Sequence, residues 1–335
     1  MNHPRTASLL PTWLRACAVL TPVLCLVPTP ALAQDFPNKP IRLVVPFAAG
    51  GPTDVVARML AEKMGVILKQ PMVVDNRGGA GGMLGTDALA KSKPDGYTVG
   101  LATASTHEFG PACAKDSPYH PINDFSMVGL IATTPSMLFV KKDAPYLGLK
   151  EVVKASLEMP GKVTWGTPGP CSNTHFLVEL VNKAADARFV PVPYRGNSAA
   201  NTDLMSGILT LSSDAITPAT VGLIKAGNIR PIALTTPTDV PELRGVKTFA
   251  ELGADIGSFT VWQGLLAPAK TPPEVVQKLN AALQQALADS DLRQRWSQAG
   301  IQPAPDNRPE TMQRLVRDRF AASRRLAEEL GIQAN

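Results

Sequence analysis

The sequence predicts an α/β protein built as two lobes with a cleft between them, and three observations carry that reading. Apolar runs of strand length alternate with runs of helical periodicity, beginning at Ile41–Val45, 53–68, 72–74 and 97–102; such a βαβα rhythm calls for a largely parallel sheet covered by helices. Two distant stretches, 47–54 and 167–175, repeat one pattern of strand, glycine turn and helix start. The chain has 335 residues, enough for two compact lobes with a core each.

Taken in order, residues 1–33 stand apart from that fold. Arg5 and Arg15 give a basic start, 16–27 are mostly apolar, and Ala31, Leu32 and Ala33 make an Ala-x-Ala pattern. This is the layout of a secretory signal peptide cut after Ala33. Its apolar part is too short, and too broken by Pro22 and Pro28, to span a bilayer. Cleavage leaves about 300 residues with a formal charge of about +3. No long basic run is present, which argues against a nucleic-acid partner. Two cysteines remain, Cys113 and Cys171. In an oxidising compartment such a pair is more often bridged than free, so a disulfide is expected, with two independent thiols as the alternative.

After the strand 41–45 and the helix 53–68 come a strand at 72–74, a glycine-rich turn at 77–82 and a short helix through Leu84, Ala88 and Leu89. Turn chemistry at Pro94, Asp95 and Gly96 then delivers the strand 97–102. Residues 111–121 read as a loop, and 125–132 and 136–140 as strands. A helix at 150–157 leads to the strand 162–165, the second glycine turn, and a helix at 174–184 with Phe176, Leu177, Leu180 and Val181 at core spacing. Strands at 189–192, 209–213 and 229–234 alternate with helices at 198–205 and 217–226. A strand at 264–267 precedes two long helices opened by Pro272 and Pro309. In the last, Arg314, Arg317, Arg319, Arg324 and Arg325 read as a solvated face. This layout predicts crossings near 132–136 and 232–236, hence a first lobe made of 34–134 plus 233–335 and a second of 135–232.

A glycine turn between a strand and a helix start is an anion site. The unpaired N–H groups of the first helical turn and the positive end of the helix dipole point out of it, and Gly50 and Gly51 let the backbone approach a ligand closely. The plainer reading is an ordinary connection capped by Thr53 or Asp54. If the two turns face each other, a ligand carboxylate is held by backbone amides and by the side chains of Thr53, Ser172, Asn173 and Thr174. Ser105, Thr106, His107, Tyr194 and Asp214 follow strands, at the ends where ligands of open α/β sheets bind. Asp54 reads as a cap, since its charge opposes a carboxylate beside it.

Catalytic signatures are missing. The sequence contains no G-x-x-x-x-G-K-[ST], no H-E-x-x-H and no G-x-S-x-G. His107, His120 and His175 are too scattered for a metal cluster, and no cofactor or metal is expected. A Ser/His/Asp triad is assembled in space rather than in sequence, so the competing reading is a secreted α/β hydrolase acting on a small carboxylate ester.

Residues 39–47 (Lys-Pro-Ile-Arg-Leu-Val-Val-Pro-Phe) with Gly50, Gly51, Pro52, Thr53 and Asp54 resemble the opening of the tripartite tricarboxylate transporter substrate-binding family, the Bug or TctC type. The similarity continues through Asp75-Asn76-Arg77-Gly78-Gly79-Ala80-Gly81-Gly82, Pro94-Asp95-Gly96-Tyr97-Thr98, Val192-Pro193-Tyr194-Arg195-Gly196, 225–230 and 264–268, essentially the whole chain beyond residue 33. The resemblance implies a monomeric periplasmic binding protein of type II, the Venus-flytrap kind, without a catalytic step. Such a protein captures a small organic carboxylate and passes it to a tripartite tricarboxylate-type membrane transporter, or to a sensor. In the family, the first loop and the loop at 167–174 grip one carboxylate. Those roles map onto Phe47, Ala48, Ala49, Gly50, Gly51, Thr53 and Asp54, and onto Thr167, Pro168, Gly169 and Ser172, with His175 structural. The chain departs from the family where the second loop usually reads closer to Ser-Gly-Asn-Gly-Thr. Here Pro168 and Pro170 lack an N–H, so that loop offers fewer backbone donors, and Cys113 and Cys171 are placed to pin it to the segment after His107.

Overall fold

The computed structural model describes Met1 and residues 36–332, apart from Ser258 and Ala299; the signal segment and its cut after Ala33 lie outside the described residues. The chain opens with β1 (Ile41–Val45), α1 (Pro52–Leu68), β2 (Met72–Asn76), α2 (Met83–Ala90) and β3 (Thr98–Thr103). A π-helical turn at Ser105–Phe109 runs into α3 (Gly110–Cys113), and β4 (Phe125–Thr134) follows. The middle of the chain holds β5 (Ser136–Lys141), α4 (Leu149–Glu158), β6 (Thr164–Thr167), α5 (Asn173–Ala184), β7 (Val190–Pro193), α6 (Asn197–Ser206), β8 (Leu211–Ala215), α7 (Pro218–Lys225) and β9 (Ile229–Leu234). The last part consists of β10 (Val261–Pro268), α8 (Pro273–Ala288), α9 (Ser290–Ser297), β11 (Gln302–Pro303) and α10 (Pro309–Leu330).

The strands form two sheets, ordered β11-β4-β10-β3-β1-β2 and β7-β6-β8-β5-β9. The chain changes sheet at Pro135, between β4 and β5, and again between β9 and β10. The largely parallel sheet expected from the βαβα rhythm is in fact mixed. β1 pairs in parallel with β2 and β3, but β10 lies antiparallel between β3 and β4. A strand that returns from the second sheet enters the first against the direction of its neighbours, and periodicity carries no sign of that direction. The second sheet is mixed in the same way: β6 runs parallel to β7 and β8, while β5 runs antiparallel to β8 and β9.

Helical spacing decides which faces are buried. In α1, Val56, Leu60, Met64 and Leu68 recur every four residues and pack with Leu43, Leu279 and Leu283 under the first sheet. Phe139, Leu204 and Ile216 form a core in the second. The short α9 escaped the sequence reading because it buries only Leu292 and Trp296, a single turn of pattern; Asp289 caps it by accepting from the Leu292 N–H. The expected loop at 111–121 begins instead as helix. Pro111 falls in the first turn of α3, directly after the π-helical turn, and the Thr106 carbonyl there accepts from the Tyr119 hydroxyl.

Cys113 and Cys171 are joined, with Cα atoms 5.8 Å apart and a sequence separation of 58. Closing a loop of that length removes unfolded-state entropy worth about 4 kcal/mol. Replacing both cysteines is therefore expected to lower the unfolding free energy by about that amount in a urea titration without reductant. An unchanged midpoint would show that the bond contributes nothing.

Candidate functional site

A pocket with about 620 Å³ of empty space, the open solvent at its mouth included, lies between the two sheets. From the first sheet it is lined by Phe47, Ala48, Gly51, Pro52 and Thr53, by Thr103, Ala104 and Ser105, and by Val261 and Gln263 of β10. The other wall comprises Pro168, Asn173, Thr174 and Leu177, then Asn197, and finally Ser136, Ser213, Asp214 and Ala215.

Three helix starts meet here. The fully buried β1 residues Ile41, Leu43 and Val45 anchor the strand, and α1 begins directly after the turn with Gly51 as N-cap and no side-chain cap. On the facing wall α5 begins at Asn173 and α6 at Asn197. The starts of α1 and α6 carry no side-chain cap and present N–H groups with the positive end of a dipole. At α5 the Asn173 N–H donates to Ser105 Oγ and the His175 N–H to Ser172 Oγ, so that start contributes chiefly its dipole. Asp214 is the one titratable lining residue; no Lys, Arg or His is among them. An anion in this cavity is therefore met by backbone and hydroxyl donors, not by an ion pair.

The residues singled out from sequence divide into two groups. Phe47, Ala48, Gly51, Thr53, Ser105, Pro168 and Asp214 line the cavity. Ala49, Gly50, Asp54, Thr106, His107, Thr167, Gly169, Ser172 and Tyr194 do not, and most have another partner. The Asp54 carboxylate accepts from the Gly50 N–H and Arg58 Nε, each at 2.9 Å, and from Asn76 Nδ2. It is not the helix cap expected of it; it reaches back from the first turn of α1 and ties the glycine turn to the end of β2. Three hydrogen bonds outweigh the burial that opposes ionisation, so its pKa is lowered. Ser172 is the N-cap of α5, accepting from the His175 N–H while its hydroxyl donates to the Gly169 carbonyl at 2.7 Å. The Tyr194 hydroxyl donates to Asp203, and the Thr167 hydroxyl faces the Gly169 and Val192 carbonyls. His175 Nδ1 accepts from the Cys171 N–H, a structural contact.

Thr106 and His107 are turned away by the π-helical turn. His107 is fully buried, packed 4.8 Å from the Phe125 ring and 6.0 Å from Tyr119, and burial pushes its pKa down to about 3. Its Nδ1 lies 2.9 Å from the Thr106 hydroxyl. Glu108 is buried behind the same turn, accepting from Trp262 Nε1 at 2.8 Å and from Ser323.

Asp214 is held on the cavity wall by amide donors from Asn197 and Asn201 of α6 and by the Ala215 N–H. Burial dominates over these donors and pushes its pKa up to about 7. Beside it, Ser213 accepts from the buried Trp165 Nε1 at 3.0 Å. Sequence reasoning missed Asn197, Ser213 and Gln263. The last is only 1% exposed and its Oε1 has no protein partner among the described residues. The available signal was a lone glutamine inside the apolar run of β10.

Ser105 joins the two walls directly. Its hydroxyl donates to Asn173 Oδ1 at 2.7 Å and accepts from the Asn173 N–H at 3.0 Å. Glycines close the seam beside it. A Cβ on Gly169 would stand 2.5 Å from the Gly81 nitrogen, and one on Gly78 would stand 3.0 Å from the Arg195 carbonyl oxygen.

Two α/β units that meet around a cavity ringed by helix starts define a solute-binding protein of the two-lobed periplasmic kind. The chain belongs to the tripartite tricarboxylate transporter receptor family, whose pattern it matches over residues 56–332. Among solved structures, the periplasmic binding protein BugD is 32% identical with a TM-score of 0.85, covering 90% of this chain and 100% of its own. MatC from Rhodopseudomonas palustris with bound malate is 30% identical with a TM-score of 0.82, over 86% of this chain and 99% of that one. A further R. palustris protein, solved with adipate, is 31% identical with a TM-score of 0.83, over 89% and 99%.

Proposed function

We propose that the protein is an extracytoplasmic receptor that captures a small organic carboxylate in the cavity between its lobes. It releases the ligand to the membrane components of a tripartite tricarboxylate-type transporter. The observation that carries this reading is the meeting of three helix starts at a cavity without a cationic side chain. Backbone amides and hydroxyls suit a carboxylate there, and two related proteins were solved with malate and adipate. Its grip would come from Phe47, Ala48, Gly51 and Thr53 on one side and from Pro168, Asn173 and Thr174 on the other, with Asp214 and Gln263 facing the far end of the ligand. The lobes are taken as 34–134 plus 233–335 and 135–232, closing by a hinge at the crossing strands. We place the protein in the periplasm as a monomer. Binding without turnover is favoured over hydrolysis because Ser105, a serine of the cavity lining, is paired with Asn173, and the Thr106–His107 pair lies outside the cavity lining.

A thermal-shift screen of mono- and dicarboxylates, including malate, adipate and their amides, tests the reading. A ligand at a hundred times its dissociation constant adds about 2.7 kcal/mol to the folded state, so a matching acid is expected to raise the melting temperature by several degrees while its amide does not. A rise with neutral sugars or amines and with no acid would overturn the carboxylate assignment.

A further inference from the structure

The Cys113–Cys171 bond joins segments that belong to different sheets. Cys113 ends α3, which follows β3 of the first sheet and packs on α10. Cys171 lies in the turn between β6 and α5 of the second. Both are buried, at 4% and 1% exposure. The same region holds the Ser105–Asn173 pair and the Phe109 and Phe176 rings, whose centroids are 4.5 Å apart. Hydrogen bonds and ring contacts between lobes exchange for water when a cleft opens; a disulfide does not. Its Cα atoms stay within about 7 Å of each other whatever the lobes do.

The sheet orders say where along the cleft this bond sits. The chain crosses between sheets through β4, β5, β9 and β10; β4 and β10 are neighbours in the first sheet and β5 and β9 in the second. β3 lies beside β10 and β6 lies two strands from β5, whereas β2 and β7 are the sheet edges farthest from the crossing strands. At those edges the lobes touch without a covalent link: Gly78 approaches the Arg195 carbonyl, and a Cβ on Gly196 would stand 3.2 Å from the Ala48 Cβ.

We propose that the Cys113–Cys171 bond is a third covalent crossing between the lobes, which keeps the first turn of α5 docked on the first lobe when the cleft is empty. The cleft then opens only at its β2/β7 edge. Part of the ligand grip, the Ser105–Asn173 pair with the starts of α1 and α5, stays assembled in the open protein. This inference rests on the two-lobe architecture and not on which ligand is bound.

Hydrogen exchange on the exported chain, stripped of ligand by unfolding and refolding without reductant, tests it. In the unliganded protein, amides at 105–109 and 173–177 are expected to exchange at least about tenfold more slowly than those at 78–79 and 195–197. A Cys113→Ala, Cys171→Gly double variant is expected to lose that difference and to show a larger radius of gyration in small-angle X-ray scattering. Glycine is chosen at 171 because Cys171 has a φ of 54°, which glycine accepts without strain. A bond that only stabilises the fold would lower the melting temperature of the variant and leave its exchange pattern and radius unchanged, and that result overturns the proposal. Equal exchange of the two regions in the wild type, or two free thiols in the unfolded, unreduced chain, overturns it without any variant.

Discussion

Asp214→Asn is expected to gain on the wild type by about 3 kcal/mol in unfolding free energy as the pH is raised from 4 to 7. The Asp214 carboxyl is fully enclosed on the cavity wall and its pKa is pushed up to about 7, against 3.8 for an ordinary aspartate. Between those values the folded chain keeps a proton that the unfolded chain has lost. The contribution of Asp214 to stability is therefore complete below pH 3.8 and is lost as the pH rises through about 7. Asparagine does not titrate and has no such slope. Urea titrations of both proteins without ligand, at unit steps of pH, read the difference directly. Parallel stability curves would mean that Asp214 ionises as an exposed aspartate does.

His107 supplies the opposite slope. Its folded pKa is pushed down to about 3 from 6.5, so below pH 6.5 the unfolded chain takes up a proton that the folded chain refuses. The stability it contributes is present above 6.5 and is lost as the pH falls towards 3. In the wild type these two groups offset one another between pH 4 and 6.5, with Glu108, also raised by burial, adding to the Asp214 side. An upward tilt with pH in Asp214→Asn relative to the wild type is the expected signature.

Gly169→Ala is expected to weaken ligand binding by about a hundredfold, equivalent to about 3 kcal/mol, with a far smaller effect on the melting temperature of the empty protein. Gly169 has a φ of 131°, and its new methyl group would stand 2.5 Å from the Gly81 nitrogen and 3.0 Å from the Gly81 Cα. Both are backbone atoms that have no rotamer to escape into, so residues 169–170 must shift against 80–81 and distort the turn that leads into α5, within the slack that the Cys113–Cys171 bond leaves. A ligand that needs both walls then binds only at the cost of restoring the contact. Gly207→Ala is the control: its φ is 83°, yet nothing lies within 4 Å of its Cβ position. Calorimetry with the best acid from the thermal screen should find the control unchanged. Wild-type affinity in Gly169→Ala would show that the glycine seam does not govern closure.

The family and the fold class were legible because they depend on local periodicity and on ordered short motifs. The apolar run of β1, the four-residue spacing of Val56, Leu60 and Met64 in α1, and the two glycine turns each state their own geometry over a few residues. The cavity wall was legible where a backbone turn makes it, as at Phe47, Ala48 and Gly51. Side chains just beyond a strand were not. Ser105 and His107 are two residues apart on the same turn, and its winding sends one to the facing lobe and the other into a ring of aromatics.

Asp54 and Ser172 carry the same lesson. Both have the chemistry of a ligand contact, and both spend it on the loop that forms the wall. Gln263 and Ser213 reach the cavity only because strands distant in sequence are laid side by side. Periodicity along the chain sets which residues form a strand, a turn or a helix start, since those choices are made by neighbours within a few positions. Which polar groups are left over for a ligand is set when the two sheets meet, because every donor and acceptor must first find its partner in the fold.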